Sequence, residues 1–192
     1  MHKFLSALLL LALLCACVPA APPQPTPLLT EIDPEEYALF SALIEGSAIG
    51  AKAGEAIVIR EQTDPDLQNL DMALKAPQQP PEELVEAYRL RNAQVYTLSR
   101  SFSLQQTYEL LPQATYDDLI HRRLAWTDFQ AQHPLANGVY FFSRAGLNAG
   151  RDMALVSFSF YCGSLCGQGG VFWLVKENGD WKVKEQLLTW MS

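Results

Sequence analysis

The stretch VFWLVKENGDWKVKEQLLTW, residues 171–190, decides the fold class. Two runs rich in β-branched and aromatic residues flank Glu177-Asn178-Gly179-Asp180. Asn-Gly between such runs is the strongest short-range signal of a two-residue β-hairpin, because both turn positions need φ > 0. The pattern predicts strands around Val171–Val175 and Trp181–Val183, turning at Asn178-Gly179.

Working upstream, GVYFFSRAGLN (138–148) and DMALVSFSFYCG (152–163) carry the same β character. Tyr140, Phe142, Phe158, Phe160, Phe172 and Trp181 alternate with other residues and are expected to form core rows. Before them the pattern is mostly helical. DPEEYALFSALIEGSAIG (33–50) opens with Asp33, Pro34 and two glutamates, which is an N-cap, a first-turn proline and early acids. Tyr37, Phe40, Leu43 and Ile44 then share one face, and Gly46, Gly50 and Gly54 are expected to end the helix. PPEELVEAYRLRNAQ (80–94) and TYDDLIHRRLAWTDFQAQHP (115–134) read as two further helices, the second with Leu119, Ile120, Leu124 and Phe129 as its apolar positions. EAIVIREQT (55–63) and TYELLPQ (107–113) read as short strands. Helices followed by adjacent strands indicate an α+β domain over 31–192, with N-terminal helices packed on a C-terminal antiparallel β-sheet. No internal repeat is present.

The N-terminus carries an address. In MHKFLSALLLLALLCACVPAAPP, Lys3 precedes an apolar run from Phe4 to Leu14, a charged n-region before a short h-region. The run is shorter than the roughly 20 residues needed to cross a bilayer. LCAC (14–17) resembles a bacterial lipobox, which implies a signal peptide over 1–16, cleavage before Cys17 and lipidation of the Cys17 sulfur; the alternative is secretory cleavage near Ala21. Cys15 is the poorer acceptor, since bulky Leu14 would then sit next to the cut. VPAAPPQPTP (18–27) favours extended polyproline II at ~3.1 Å per residue, so residues 17–30 are expected to be a lipidated cysteine on a Pro-rich tether. These features place the protein in the bacterial cell envelope, lipid-anchored, with the outer membrane expected because Val18 brings no acidic retention signal.

Charge narrows the partners. Losing residues 1–16 removes Lys3 and takes the formal charge from −7 to −8 over 176 residues. Such a chain has no basic stripe to neutralise phosphates, which argues against nucleic acid and against electrostatic adhesion to anionic lipid. The expected partners are the membrane, through the lipid anchor, and an envelope protein or small ligand of unknown identity.

The C-terminal third also resembles a known family. WTDFQAQHP (126–134), FSRAGLN (142–148), CGSLCGQGG (162–170) and LVKENGDWKV (174–183) are similar to segments of a family of uncharacterised secreted bacterial proteins and lipoproteins. Its members share a Trp-x-x-Phe segment, a Ser-Arg-Val-Gly-Phe-Asn-like turn, a Cys-Gly-x-Leu-Cys-Gly element and a Gly-x-Trp-Lys-Val hairpin. Here Ala145 and Leu147 stand where the family usually has Val and Phe. The resemblance covers roughly 126–192 well; it implies a shared fold and no catalytic or ligand-binding residue.

Candidate chemistry is sparse. For Cys162 and Cys166 the expected reading is a disulfide closing the turn between two strands, which Gly163, Gly167, Gly169 and Gly170 would allow. The alternative is a thiol-redox or copper-handling pair with three intervening residues, but GQGGVFWLV after Cys166 offers no helix N-terminus to activate a thiolate. Free buried thiols fit an oxidising envelope poorly. A zinc site is disfavoured, since only His121 and His133 supplement the two thiols. Ser47 lies outside any Gly-x-Ser-x-Gly, and no phosphate-binding loop is present, so no catalytic residue, metal or cofactor is expected. His121 and His133 read as helix residues, and adjacent Asp117 and Asp118 as solvated charges. The candidate binding turn is Ser143–Asn148: Ser143, Arg144 and Asn148 could hold an anion or a carboxylate, against the plainer reading of a tight turn with Gly146 and Asn148 at positive φ. Together these features suggest a non-catalytic binding or scaffold module.

Overall fold

The computed structural model describes residues 31–121, 125–163 and 165–192, without the side chains of Leu188 and Thr189. The expected signal peptide, Cys17 and the tether fall outside the described residues, as does Leu124. The order is α1 (Pro34–Gly46), β1 (Ile57–Arg60), α2 (Leu67–Ala73), α3 (Glu82–Arg91), β2 (Tyr108–Leu111), α4 (Gln113–Ile120), α5 (Trp126–Gln132), β3 (Val139–Phe142), β4 (Gly146–Leu147), β5 (Met153–Gly163), β6 (Cys166–Glu177) and β7 (Asp180–Met191).

The chain is α+β, but its sheet is mixed rather than antiparallel. Strand order is β2-β1-β3-β5-β6-β7, with β4 paired to β5. β1 runs parallel to both β2 and β3, and the remaining pairs are antiparallel. The expectation of a sheet confined to the C-terminal half is therefore corrected: β1 and β2 come from among the helices and extend one side of the C-terminal meander.

Both faces of the sheet are covered, and strand alternation divides the core between them. Ile57, Ile59, Tyr140, Phe142, Phe158, Phe172, Leu174 and Trp181 face α1, which contributes Tyr37, Phe40, Leu43 and Ile44. The alternate residues Val58, Val139 and Phe141 face α4 and α5 through Leu119 and Phe129. Leu155, Val171 and Leu187 face α2 and α3 through Leu70, Ala73, Leu84 and Tyr88. Full burial of each such side chain contributes roughly 1.5–3 kcal/mol, which explains why β3 and the middle of β5 are apolar almost without interruption.

Local chemistry sets the ends of these elements. Asp33 caps α1 by accepting from Glu35 N, and the Glu36 side chain reaches back to Asp33 N, completing a capping box. Asn178 and Gly179 adopt φ 53° and 94°, as a type I′ turn between β6 and β7 demands. The helix expected over 115–134 is two short helices, since Ala125 is extended immediately before α5. Helix α2 was not foreseen; it follows Asp66, which takes a left-handed conformation (φ 46°).

Candidate functional site

The Ser143–Asn148 turn is built inward. Arg144 and Glu36 are both fully buried. The Arg144 guanidinium donates to Glu36 through Nε (2.9 Å to Oε2) and Nη2 (2.7 Å to Oε1), and its Nη2 also reaches the Glu31 carbonyl at 3.2 Å. Ala145 N–H donates to Glu36 Oε2 at 2.9 Å, and Arg91 Nη1 approaches Oε1 at 2.9 Å. The guanidinium carbon lies 4.4 Å from the Tyr96 ring centroid. Arg144 does hold a carboxylate, but the carboxylate belongs to its own chain. Asn92 adds a second tie, donating to the Arg144 carbonyl and accepting from its N–H.

The other residues of that turn are also committed internally. Ser143 Oγ donates to the Arg144 carbonyl and accepts from Ser157 N–H. Asn148 Oδ1 accepts from the amides of Asp152 and Met153, closing its own loop. Neither Gly146 nor Asn148 has positive φ; Arg151 does, at 55°. Gly146 lies in extended β4, where a Cβ would come within 2.4 Å of Tyr88 N. Close packing of α3 on β4 is therefore what requires a glycine there. In the structure the polar side chains of the candidate binding turn make their contacts within the chain, at a packing junction of α1, α3 and β4.

Cys162 and Cys166 stand at disulfide distance across the β5–β6 turn, with Cα atoms 5.1 Å apart. Cys166 and Leu165 are exposed at this tip. No helix begins there, so no helix dipole is available to activate a thiol. His121 is exposed after α4, and His133 follows α5 with its Nδ1 against Glu109. Among the described residues no cluster of three or more His, Cys, Asp or Glu could hold a metal, and no helix is long and apolar enough to cross a membrane.

A small polar group lies on the opposite face of the sheet from α1. Ser157 Oγ donates to Asp66 Oδ2 at 2.6 Å, and Asp64 stands beside it. Although half of the Asp64 side chain is open to solvent, desolvation raises its pKa against the opposing pull of Arg60. The adjoining cavity, about 10 Å³, is too small for a ligand.

A cleft of about 630 Å³ lies between α1 and the start of β7. One stripe of α1, Ala38, Ser41, Ala42 and Glu45, forms one wall, and Gly179–Val183 forms the other over a floor of Leu174. Ala38, Ser41 and Ala42 are small, so the space between this part of α1 and the strand is left unfilled. Ser41 Oγ accepts from Ser103 N–H and Glu45 Oε1 from Gln105 N–H, closing one end. Trp181 is held firmly: its Nε1 donates to Glu35 Oε1 at 2.7 Å, and Lys176 Nζ reaches the same oxygen at 2.6 Å. The bond from Lys176 leads the causes that hold the Glu35 carboxyl below its ordinary 4.5. The cleft is thus preformed, with a fixed aromatic, an exposed Val183 and the Glu45 carboxylate. Sequence reading placed Trp181 in the core and missed the cleft, which depends on the position of α1 relative to β7.

Compared with protein families, curated proteins and solved structures, the chain matches none.

Proposed function

We propose that the protein is a lipid-tethered, non-catalytic binding or scaffold module of the bacterial cell envelope, in keeping with the secreted and lipoprotein family its C-terminal third resembles. Its contact site is the cleft between α1 and β7. The observation that carries this reading is the preformed cleft itself, with Trp181 fixed by Glu35 and Val183 left exposed beside small residues of α1. The address comes from the sequence: the lipobox-like LCAC before Cys17 and the proline-rich segment that follows. The chain joins the described domain at Glu31, whose carbonyl is bonded to Arg144, so a pull on the tether would act on the buried Glu36–Arg144 junction.

A photo-crosslinking residue at Ala42, compared with one at exposed Leu90 on α3, tests the site in native membranes. Discrete adducts from Ala42 alone support it, and equal labelling from both positions refutes it. One observation favours a second reading: Cys166 is exposed, and exposed disulfides tend to be the reducible ones. A thiol-redox or copper-handling role would require reversible reduction of the pair near −200 mV, whereas a structural bond lies below roughly −300 mV.

A further inference from the structure

The outer edge of β7 beside the cleft, to which no described strand pairs, has the geometry of a strand-addition site. β7 ends the sheet, with β6 as its neighbour. Such edges are normally blunted against pairing, and most of β7 is. Register shifts make Lys184 and Leu187 bulge residues. The stretch before the first bulge, Trp181–Val183, keeps a regular register with β6, and it is the stretch that borders the cleft.

Backbone polarity there follows from the register. The two-residue turn makes Glu177↔Asp180 a hydrogen-bonded pair, so Lys176↔Trp181 and Leu174↔Val183 are non-hydrogen-bonded pairs. The N–H and C=O groups of Trp181 and Val183 therefore point away from β6, toward the open edge. Alternation puts the side chains of Trp181 and Val183 on the α1 side and sends Lys182 to the opposite face. Asp180, two residues before Lys182, shares its face, so the charge left on the cleft side is the Glu45 carboxylate.

We propose that β7 accepts an extended segment of a partner protein by strand addition at Trp181–Val183. The segment carries apolar side chains at alternate positions, packed between Val183 and the Ala38–Ala42 stripe, and a Lys or Arg facing Glu45. This deepens the binding-module reading and rests on it. Main-chain bonds would supply affinity and the α1–β7 cleft specificity, as in other edge-strand recognition. A second copy is disfavoured as occupant, because each mature chain carries a formal −8 and the two would repel.

The test uses the mature lipidated chain in detergent and a displayed library of random eight-residue peptides. Enriched peptides should alternate apolar residues, carry Lys or Arg, and slow hydrogen exchange at the Trp181 and Val183 amides. Val183→Pro removes an outward N–H while sparing the β6 ladder, and should weaken the best peptide at least tenfold with an unchanged urea midpoint. Glu45→Lys, which leaves β7 intact, should weaken it several-fold and decides the matter if the proline variant misfolds. No enrichment, exchange protection elsewhere, or binding indifferent to both variants overturns strand addition. Crosslinking from Ala42 would still stand or fall on its own, so the two readings fail separately.

Discussion

Replacing Glu36 should be the most damaging single polar change in the domain. Its carboxylate accepts from Arg144 Nε and Nη2, from Ala145 N–H and from Arg91, and it completes the cap of α1. Glu36→Leu leaves Arg144, which is 0% exposed, as an uncompensated buried cation. Breaking a buried pair in this way costs about 3–5 kcal/mol, against a total stability of roughly 5–15 kcal/mol. Arg144→Met should cost less, because Arg91 and the Ala145 N–H still hold the Glu36 carboxylate. In the double variant neither charge is stranded, so the losses should fall short of their sum by about 1–3 kcal/mol. Urea unfolding followed by tryptophan fluorescence measures all three. With m of ~2 kcal/mol per molar, Glu36→Leu should lower the midpoint by about 2 M and Arg144→Met by less. A loss under 1 kcal/mol for Glu36→Leu, or strict additivity in the double variant, would show that the junction is not what fixes α1 to the sheet.

Gly179→Val places a β-branched residue at φ 94° and should cost at least ~1 kcal/mol; an unchanged melting temperature would count against the type I′ turn. Changing Cys162 and Cys166 together to Ala should cost only ~1–3 kcal/mol, because the closed loop is short, and any binding should survive in proportion to folded protein. Near-normal stability with complete loss of function, or stoichiometric copper on the reduced pair, would favour the redox alternative. Lowered carboxylate pKa values imply acid sensitivity: Glu35 is held down first by Lys176, while at Asp33 the burial that would raise it is outweighed by Glu35 N–H and Arg151. Their contribution is present above the unfolded values near 4 and is lost as pH falls through the depressed folded values, so Glu35→Gln should flatten the decline of stability below about pH 4.5. Cys17→Ser should release the protein from the membrane fraction; retention of that variant, with no fatty-acid label on the wild type, would defeat the anchor.

The hairpin, α1 and α3 were legible because their determinants are local. Asn178-Gly179 carries its own φ requirement, and Asp33, Pro34 and Glu36 lie within one helical turn of each other. The aromatic alternation of β3, β5 and β6 likewise follows from a period of two. The parallel pairing of β1 was not legible, since Val58 meets Glu109 and Val139, both at least fifty residues away, and nothing in IVIR specifies them. Helix α2 was missed for a related reason. Seven residues are too few to show a clear period, and the helix is sustained by Leu70 and Ala73 docking on the sheet.

The role of Arg144 marks the same boundary. In the sequence it stands in a polar-looking turn, and an exposed anion site was a fair expectation. Its partner, Glu36, lies 108 residues earlier, in a position already explained by helix capping. By itself the sequence determined the hairpin, the first helix, the cysteine spacing and the character of the N-terminal segment, each set by interactions within a few residues. Tertiary structure alone decided that Arg144 is sealed, that the sheet is mixed and that a cleft remains between α1 and β7. Those outcomes depend on which distant surfaces meet, and burial with charge compensation, rather than local propensity, selects among the possible pairings.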